Sequence, residues 1–259
     1  MELQGQVAIV TGAGRGIGRA TALELARMGA DVVVAELDRA NAEQTASELH
    51  GLGCRALAVP TDVTSRKDLV AVVERARAEF GQIDVLVNNV GIYRAAETLD
   101  VTEEHWDAVM NINAKAVFFA SQTVLPTMIA QKTRRYRQFG IDGRQNREPS
   151  QPAIQRQQGG GHQHDQEPRD CACCRWDPRE LRVPRLCGDG HVDVGGARTG
   201  SAAQPIARRV HPPTRKTDPF GPHERPEDVA DVTGFLVSPR SEYMTGQALS
   251  VDGGLVMHG

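Results

Sequence analysis

Between residues 6 and 91, short runs of β-branched and aliphatic residues alternate with longer stretches in which apolar positions recur every three or four residues. "QVAIVTG" (6–12), "DVVVAEL" (31–37), "RALAVPTDV" (55–63) and "DVLVNNVG" (84–91) have the length and composition of buried strands. "GRATALELARMG" (18–29), "NAEQTASELHGLG" (41–53) and "SRKDLVAVVERARAEFG" (65–81) read as helices. Gly29 and Gly53 end the first two, and Ser65 caps the third. Strand and helix alternating in this way predict βαβ units, hence an α/β fold with a doubly wound parallel sheet, and 259 residues suit one large domain or two small ones. Residues 103–131 continue as one long helix. From about 134 to 217 the periodicity disappears, and Arg, Gln, Pro and Gly dominate. Order returns at 225–254, with a helix opened by Pro226 and a strand "ALSVDGG" (248–254). No internal repeat is visible.

Composition narrows the partners. A net charge of −3 offers nothing to nucleic acid or to an anionic membrane. No apolar run approaches the roughly 18 residues of a membrane span, and "MELQGQVAIVTGAG" carries no secretory leader. The expectation is a cytoplasmic protein whose five cysteines are thiols.

The first chemistry lies in "TGAGRGIG" (11–18). Gly12, Gly16 and Gly18 follow a strand and open a helix, so the backbone can approach a pyrophosphate seated at the helix N-terminus. Arg15 and Ile17 lie within the same loop. A glycine-rich turn alone can be only a turn. Here Glu36 closes the second strand about 20 residues on, where an acid binds both ribose hydroxyls of a dinucleotide. A carboxylate at that place repels a 2′-phosphate, whereas Arg15 could pair with one. The balance favours NAD over NADP.

The glycine spacing has company. "TDV" (Thr61, Asp62, Val63), "NNVG" (Asn88, Asn89, Val90, Gly91), "MNINAKAVF" with Asn113, and "TGQALSVDGG" (245–254) follow in order. Over residues 1–132 and 219–259 the chain resembles the short-chain dehydrogenase/reductase family. The resemblance implies a Rossmann-type enzyme of one domain, 1–259, that passes hydride between a nicotinamide cofactor and a small-molecule alcohol or ketone, and a homotetramer. It further implies that Asp62 and Val63 flank the adenine, that Asn89 lies along the cofactor, and that Asn113 supports a proton relay. Gly91 belongs to the same cofactor set, although it and Asn88 can equally serve only to fix the strand and its turn. Val90 stands where the family usually has alanine.

The family's catalyst is a Ser and a Tyr-x-x-x-Lys. Tyrosine moves the proton, lysine lowers its pKa, and serine holds the carbonyl oxygen. None of this is legible. The tyrosines are Tyr93, Tyr136 and Tyr243, and none has a lysine four places later.

The stretch "QPAIQRQQGGGHQHDQEPRDCACCRW" (151–176) stands where the catalyst belongs. Cys171, Cys173, Cys174 and Cys187 with His162, His164 and His191 invite a zinc reading, but "CACC" is not a paired C-x-x-C knuckle. No metal site is therefore assigned. A disordered insert is the next reading, yet about 80 structureless residues rarely interrupt such a fold. A wrong reading frame explains more. Codons that spell "IQRQQGGGHQHDQE" (154–167) also spell "YSASKAAVINMTK" when read one base later. The shift allows only Tyr, Ser or Phe at the slot of Ile154 and only Lys or Arg at that of Gln158, and so admits a Tyr-x-x-x-Lys. It makes a strand-like "IVN" of 136–138, "DGIRVN" of 175–180 and "CPG" of 183–185. The slot of Ile141 can become serine, thirteen residues before the tyrosine slot as in the family. Residues 134–217 thus read as out of frame. The function expected is that of an NAD-linked oxidoreductase. The alternative is a catalytically inactive nucleotide-binding relic of the same family, and a Cys/His metal-binding adaptor is a third class.

Overall fold

The computed structural model describes residues 1–94, 96, 98–131 and 225–251, and the backbone alone of 137–140. Strands β1 (Val7–Thr11), β2 (Asp31–Glu36), β3 (Ala56–Pro60), β4 (Val85–Asn88) and β5 (Arg137–Gly140) form a sheet in the order β3-β2-β1-β4-β5. Every ladder is parallel. Helices α1 (Gly16–Arg27), α2 (Arg39–Gly51), α3 (Arg66–Phe80), α4 (Glu103–Met110), α5 (Val117–Ala130) and α6 (Pro226–Val237) flank it. The expected α/β architecture is the observed one.

Both faces of the sheet are covered, which is why its strands are apolar throughout rather than alternating. Ala8, Val10, Val32, Val34, Val85 and Val87 point to one face and pack with Leu25 of α1, Leu49 of α2 and Val237 of α6. Val7, Ile9, Val33, Ala35 and Leu86 point to the other and meet Leu69 and Val72 of α3 and Val124 and Met128 of α5. Helix ends follow local chemistry. The Ser65 hydroxyl accepts the Asp68 N–H at 3.3 Å, and Gly81 ends α3 with φ 81° in the left-handed region. Asp38 caps α2 by accepting the Asn41 N–H at 3.1 Å.

Three expectations need correction. The long helix of 103–131 is interrupted between α4 and α5 by a π-helical turn, Asn111–Ala116. Apolar periodicity does not register one widened turn, because the helix resumes on the same stripe; such turns are frequent at functional sites. The second correction concerns 248–254. Residues 248–251 have no strand conformation and no ladder partner among the described strands, and Leu249 is about half exposed. A strand signal becomes a strand only when a neighbour supplies the hydrogen bonds. The third is β5. It forms inside the segment whose periodicity fails, pairing Val85 with Arg137 and Asn88 with Gly140. Backbone pairing to β4 imposes the strand where the side-chain pattern does not announce one.

Chain order turns about β1. From β1 the sheet grows through β2 to β3, then the chain crosses to the opposite edge for β4 and β5. The carboxyl ends of β1 and β4 therefore flank the point where the winding reverses, and the crevice of such a sheet opens there.

Candidate functional site

The loop leaving β1 occupies that crevice. Gly12 and Gly16 have φ of 64° and 54°, which L side chains seldom adopt. Gly18 is needed for space, because a Cβ there would sit 2.1 Å from the Gly12 carbonyl oxygen and 2.5 Å from Asn89 Nδ2. At Gly16 a Cβ would meet nothing within 4 Å, so that side of the loop is open. Helix α1 starts without a side-chain cap at Arg15. Its first N–H groups, of Gly16, Ile17 and Gly18, stand at the positive end of the helix dipole and are suited to an anion. Arg15 is exposed and Ile17 half-buried.

Glu36, at the end of β2, lies across this loop. Its Oε2 accepts the Gly14 N–H at 2.9 Å, and its Oε1 accepts the Asp38 N–H at 3.3 Å. Beyond β3, the Thr61 N–H donates to the Glu36 carbonyl at 2.8 Å, which sets "TDV" beside Glu36. Asp62 Oδ1 accepts from the Thr64 N–H (2.8 Å) and hydroxyl (2.7 Å), and its own N–H donates to Asp68 Oδ2 at 3.1 Å. Val63 packs against the α3 side of the core.

The exit of β4 closes the far wall. The Asn89 amide donates to the carbonyls of Thr11 (3.0 Å) and Gly12 (3.2 Å), while its N–H donates to the Thr11 hydroxyl at 3.0 Å. Asn113, on the π-helical turn, clasps the backbone of Ile92 from both sides: Oδ1 accepts its N–H at 2.9 Å, and Nδ2 donates to its carbonyl at 2.8 Å. A Cβ on Gly91 would lie 3.7 Å from Asn113 Oδ1, an ordinary contact, so space does not demand glycine there.

The structure thus gathers Gly12, Gly16, Gly18, Glu36 and Asn89 around one loop, with Asn113 and Gly91 beyond β4. Reading the residues alone missed Thr11 and Thr45. Thr11 ties β1 to β4 through its hydroxyl, which donates to the Val87 carbonyl at 3.3 Å. Thr45 is fully buried on α2 and directs its hydroxyl to the Gly14 carbonyl at 3.5 Å. Thr11 stood within the quoted motif; for Thr45 the one available signal was a polar residue on the inward face of α2.

The slots of Ile141, Ile154 and Gln158 lie outside the described residues, as do Cys171, Cys173, Cys174, Cys187, His162, His164 and His191. Among the described residues, no group of three His, Cys, Asp or Glu side chains could hold a metal ion. Nor is any helix among them long and apolar enough to cross a membrane.

The chain is similar to known proteins. The family model of short chain dehydrogenases matches residues 6–135, and that of enoyl-(acyl carrier protein) reductases matches 191–256. The second match opens inside the 134–217 segment, and 136–190 is matched by neither. A 3-oxoacyl-(acyl-carrier-protein) reductase of Thermotoga maritima is 33% identical over 99% of this chain and 100% of its own length. A 2-dehydro-3-deoxy-D-gluconate 5-dehydrogenase of Dickeya dadantii is 30% identical over 97% of this chain and 96% of its own. Among solved structures, a short chain dehydrogenase of Burkholderia cenocepacia in complex with NADP is 40% identical, with a TM-score of 0.47. That match covers 49% of this chain and 52% of the other, so the chain spans about half of the solved structure it matches. On the match over residues 6–135 and the full-length relative, the chain belongs to the short-chain dehydrogenase/reductase family, a family of oxidoreductases.

Proposed function

We propose that the protein is a nicotinamide-dependent oxidoreductase acting on a secondary alcohol or ketone, with NAD preferred over NADP. One observation carries the reading: the open, uncapped glycine loop at the reversal of the sheet has the Glu36 carboxylate bonded to Gly14 at 2.9 Å. A dinucleotide fits these residues. The cradle at Gly16 is clear, and the α1 N–H groups receive the pyrophosphate. Glu36 takes the adenosine ribose, Asp62 and Val63 border the adenine, and Asn89 holds the loop along the cofactor. Asn113 and Gly91 shape the turn after β4, where a substrate would meet the nicotinamide. Bound there, the nicotinamide supplies the hydride acceptor or donor.

The proton chemistry is the missing half. Ser, Tyr and Lys belong at the slots of Ile141, Ile154 and Gln158, and we infer that 134–217 is translated out of frame. Two facts support this. The interval 136–190, which neither family model matches, contains all three slots. The β5 backbone occupies 137–140, where the shifted frame spells a strand beginning at 136. The chain without those residues binds cofactor and does not turn over, and the repaired one is a cytoplasmic homotetrameric dehydrogenase. If the gene itself carries the shift, the protein is an inactive nucleotide-binding relic. Sequencing of the gene across codons 130–220, with NADH titration of both gene products, separates the readings. Compensating indels near 133–135 and 215–219 and NAD-dependent oxidation by the product are expected. A gene that keeps the printed frame overturns the enzyme reading and leaves the relic, and no NADH binding by either product overturns both.

A further inference from the structure

Gly14 is held through both its N–H and its carbonyl. Its N–H donates to Glu36 Oε2 at 2.9 Å. Its carbonyl receives the hydroxyl of the buried Thr45, 31 residues along the chain, at 3.5 Å. Glu36 also reaches forward, accepting the Asp38 N–H, and Asp38 is the cap of α2. One carboxylate therefore ties the loop after β1 to the loop after β2.

The fit is close. A Cβ on Gly14 would lie 2.6 Å from Glu36 Cγ, 2.9 Å from Glu36 Cδ and 2.8 Å from Asn41 Cβ. The Glu36 side chain could swing aside, but Asn41 Cβ is rigidly attached to the first turn of α2. Gly14, whose φ is not in the left-handed region, is glycine because Glu36 and α2 fill the space beside it.

We propose that Glu36 is a positioning residue for the pyrophosphate loop, in addition to any contact it makes with a ribose. Resting on the dinucleotide reading above, this gives the acid a second role. It arranges the Gly12–Gly18 backbone before a ligand arrives, so that the α1 N–H groups are not reordered on binding. Preorganisation of this kind raises affinity by lowering the ordering entropy that binding must overcome. The ribose contact acts only when the ribose carries its hydroxyls. The brace acts on every ligand that uses the loop.

The two roles are separable on the full-length chain. Backbone hydrogen exchange of the ligand-free protein reads the brace without cofactor. Glu36→Ala should speed exchange of the amides of 12–18 about tenfold, from the loss of a hydrogen bond to a charged acceptor. Exchange in α3 should not change. Glu36→Gln, which keeps an acceptor for the Gly14 N–H, should restore most of the protection. Affinity is then measured for NADH and for an analogue whose adenosine ribose lacks both hydroxyls. Glu36→Ala should still weaken the analogue about tenfold, by the same lost bond. Unchanged exchange at 12–18, or an analogue bound equally by both proteins, overturns the proposal. Faster exchange in Glu36→Ala without NADH binding by the unsubstituted chain upholds the brace and sinks the nicotinamide reading instead.

Discussion

Asn113 and Ile92 are joined as two residues of neighbouring strands would be, although one lies on a π-helical turn and the other in a loop. The side-chain amide donates to the Ile92 carbonyl at 2.8 Å and accepts the Ile92 N–H at 2.9 Å. A side-chain amide carries a donor and an acceptor side by side and so can satisfy the N–H and the carbonyl of one residue at once. Asn113→Ala should cost about 2 kcal/mol, from two hydrogen bonds at roughly 1 kcal/mol each, in urea unfolding. Asn113→Asp should recover stability on acidification, because only the protonated carboxyl can donate to the Ile92 carbonyl. A pH-independent deficit would contradict this pairing.

The glycines of the loop differ in what they do. Gly18→Ala drives a Cβ to 2.1 Å from a backbone oxygen and should cost about 3 kcal/mol or prevent folding. Gly16→Ala meets open space and suffers only from its φ of 54°, about 1–2 kcal/mol. Equal losses for the two substitutions in equilibrium unfolding would contradict the steric argument.

The start of α6 should be sensitive to acid. The Arg225 N–H donates to Asp228 Oδ2 at 2.8 Å and its guanidinium to Oδ1 at 3.1 Å. These bonds, the backbone one first, hold the Asp228 carboxyl below its ordinary range. A carboxylate depressed on folding contributes stability above its unfolded pKa of about 4, and the contribution is lost as pH falls through the lower folded value. Stability measured at pH 6 and again below pH 4 should therefore fall less in Asp228→Asn than in the parent chain. An identical fall in both would remove Asp228 as a cause.

Cofactor choice follows from charge beside the ribose. With Glu36 at the end of β2, kcat/KM of a frame-repaired enzyme should be higher with NAD than with NADP, because the carboxylate repels a 2′-phosphate. The exposed Arg15 acts in the opposite sense, so Glu36→Ser should narrow or reverse the preference. Steady-state kinetics with both cofactors checks it, and a parent enzyme that prefers NADP refutes it.

For the same repaired enzyme, the tyrosine restored at slot 154 should be the proton carrier. A lysine four residues on depresses its pKa, so alcohol oxidation should rise as pH climbs and the tyrosine ionises. Replacing that tyrosine by Phe should lower kcat about a hundredfold or more while NADH affinity stays unchanged. A variant that keeps its rate would refute the assignment.

Much of the fold and half of the site could be read from single segments. The apolar runs around Val7–Thr11 and Asp31–Glu36, the periodicity of 65–81 with its cap at Ser65, and the stops at Gly29 and Gly53 are local signals, each written within a few residues. They determined the βαβ order, and with "TGAGRGIG" and Glu36 they marked the glycine loop proposed for the cofactor. In the printed frame the catalytic slots are legible only as an absence, since residues 134–217 carry no such signals, and only the shifted frame gives them positions. Tertiary structure decided the rest. Which side of β1 receives β4 and how Arg137–Gly140 becomes a strand depend on backbone pairing between distant segments. So do the bond from Gly14 to Glu36 across 22 residues, that from Asn89 to Thr11 across 78, and the clasp of Asn113 on Ile92 across 21. A run of residues encodes its own dihedral preferences and its buried face; the partner of a hydrogen bond exists only once packing has brought the two segments together.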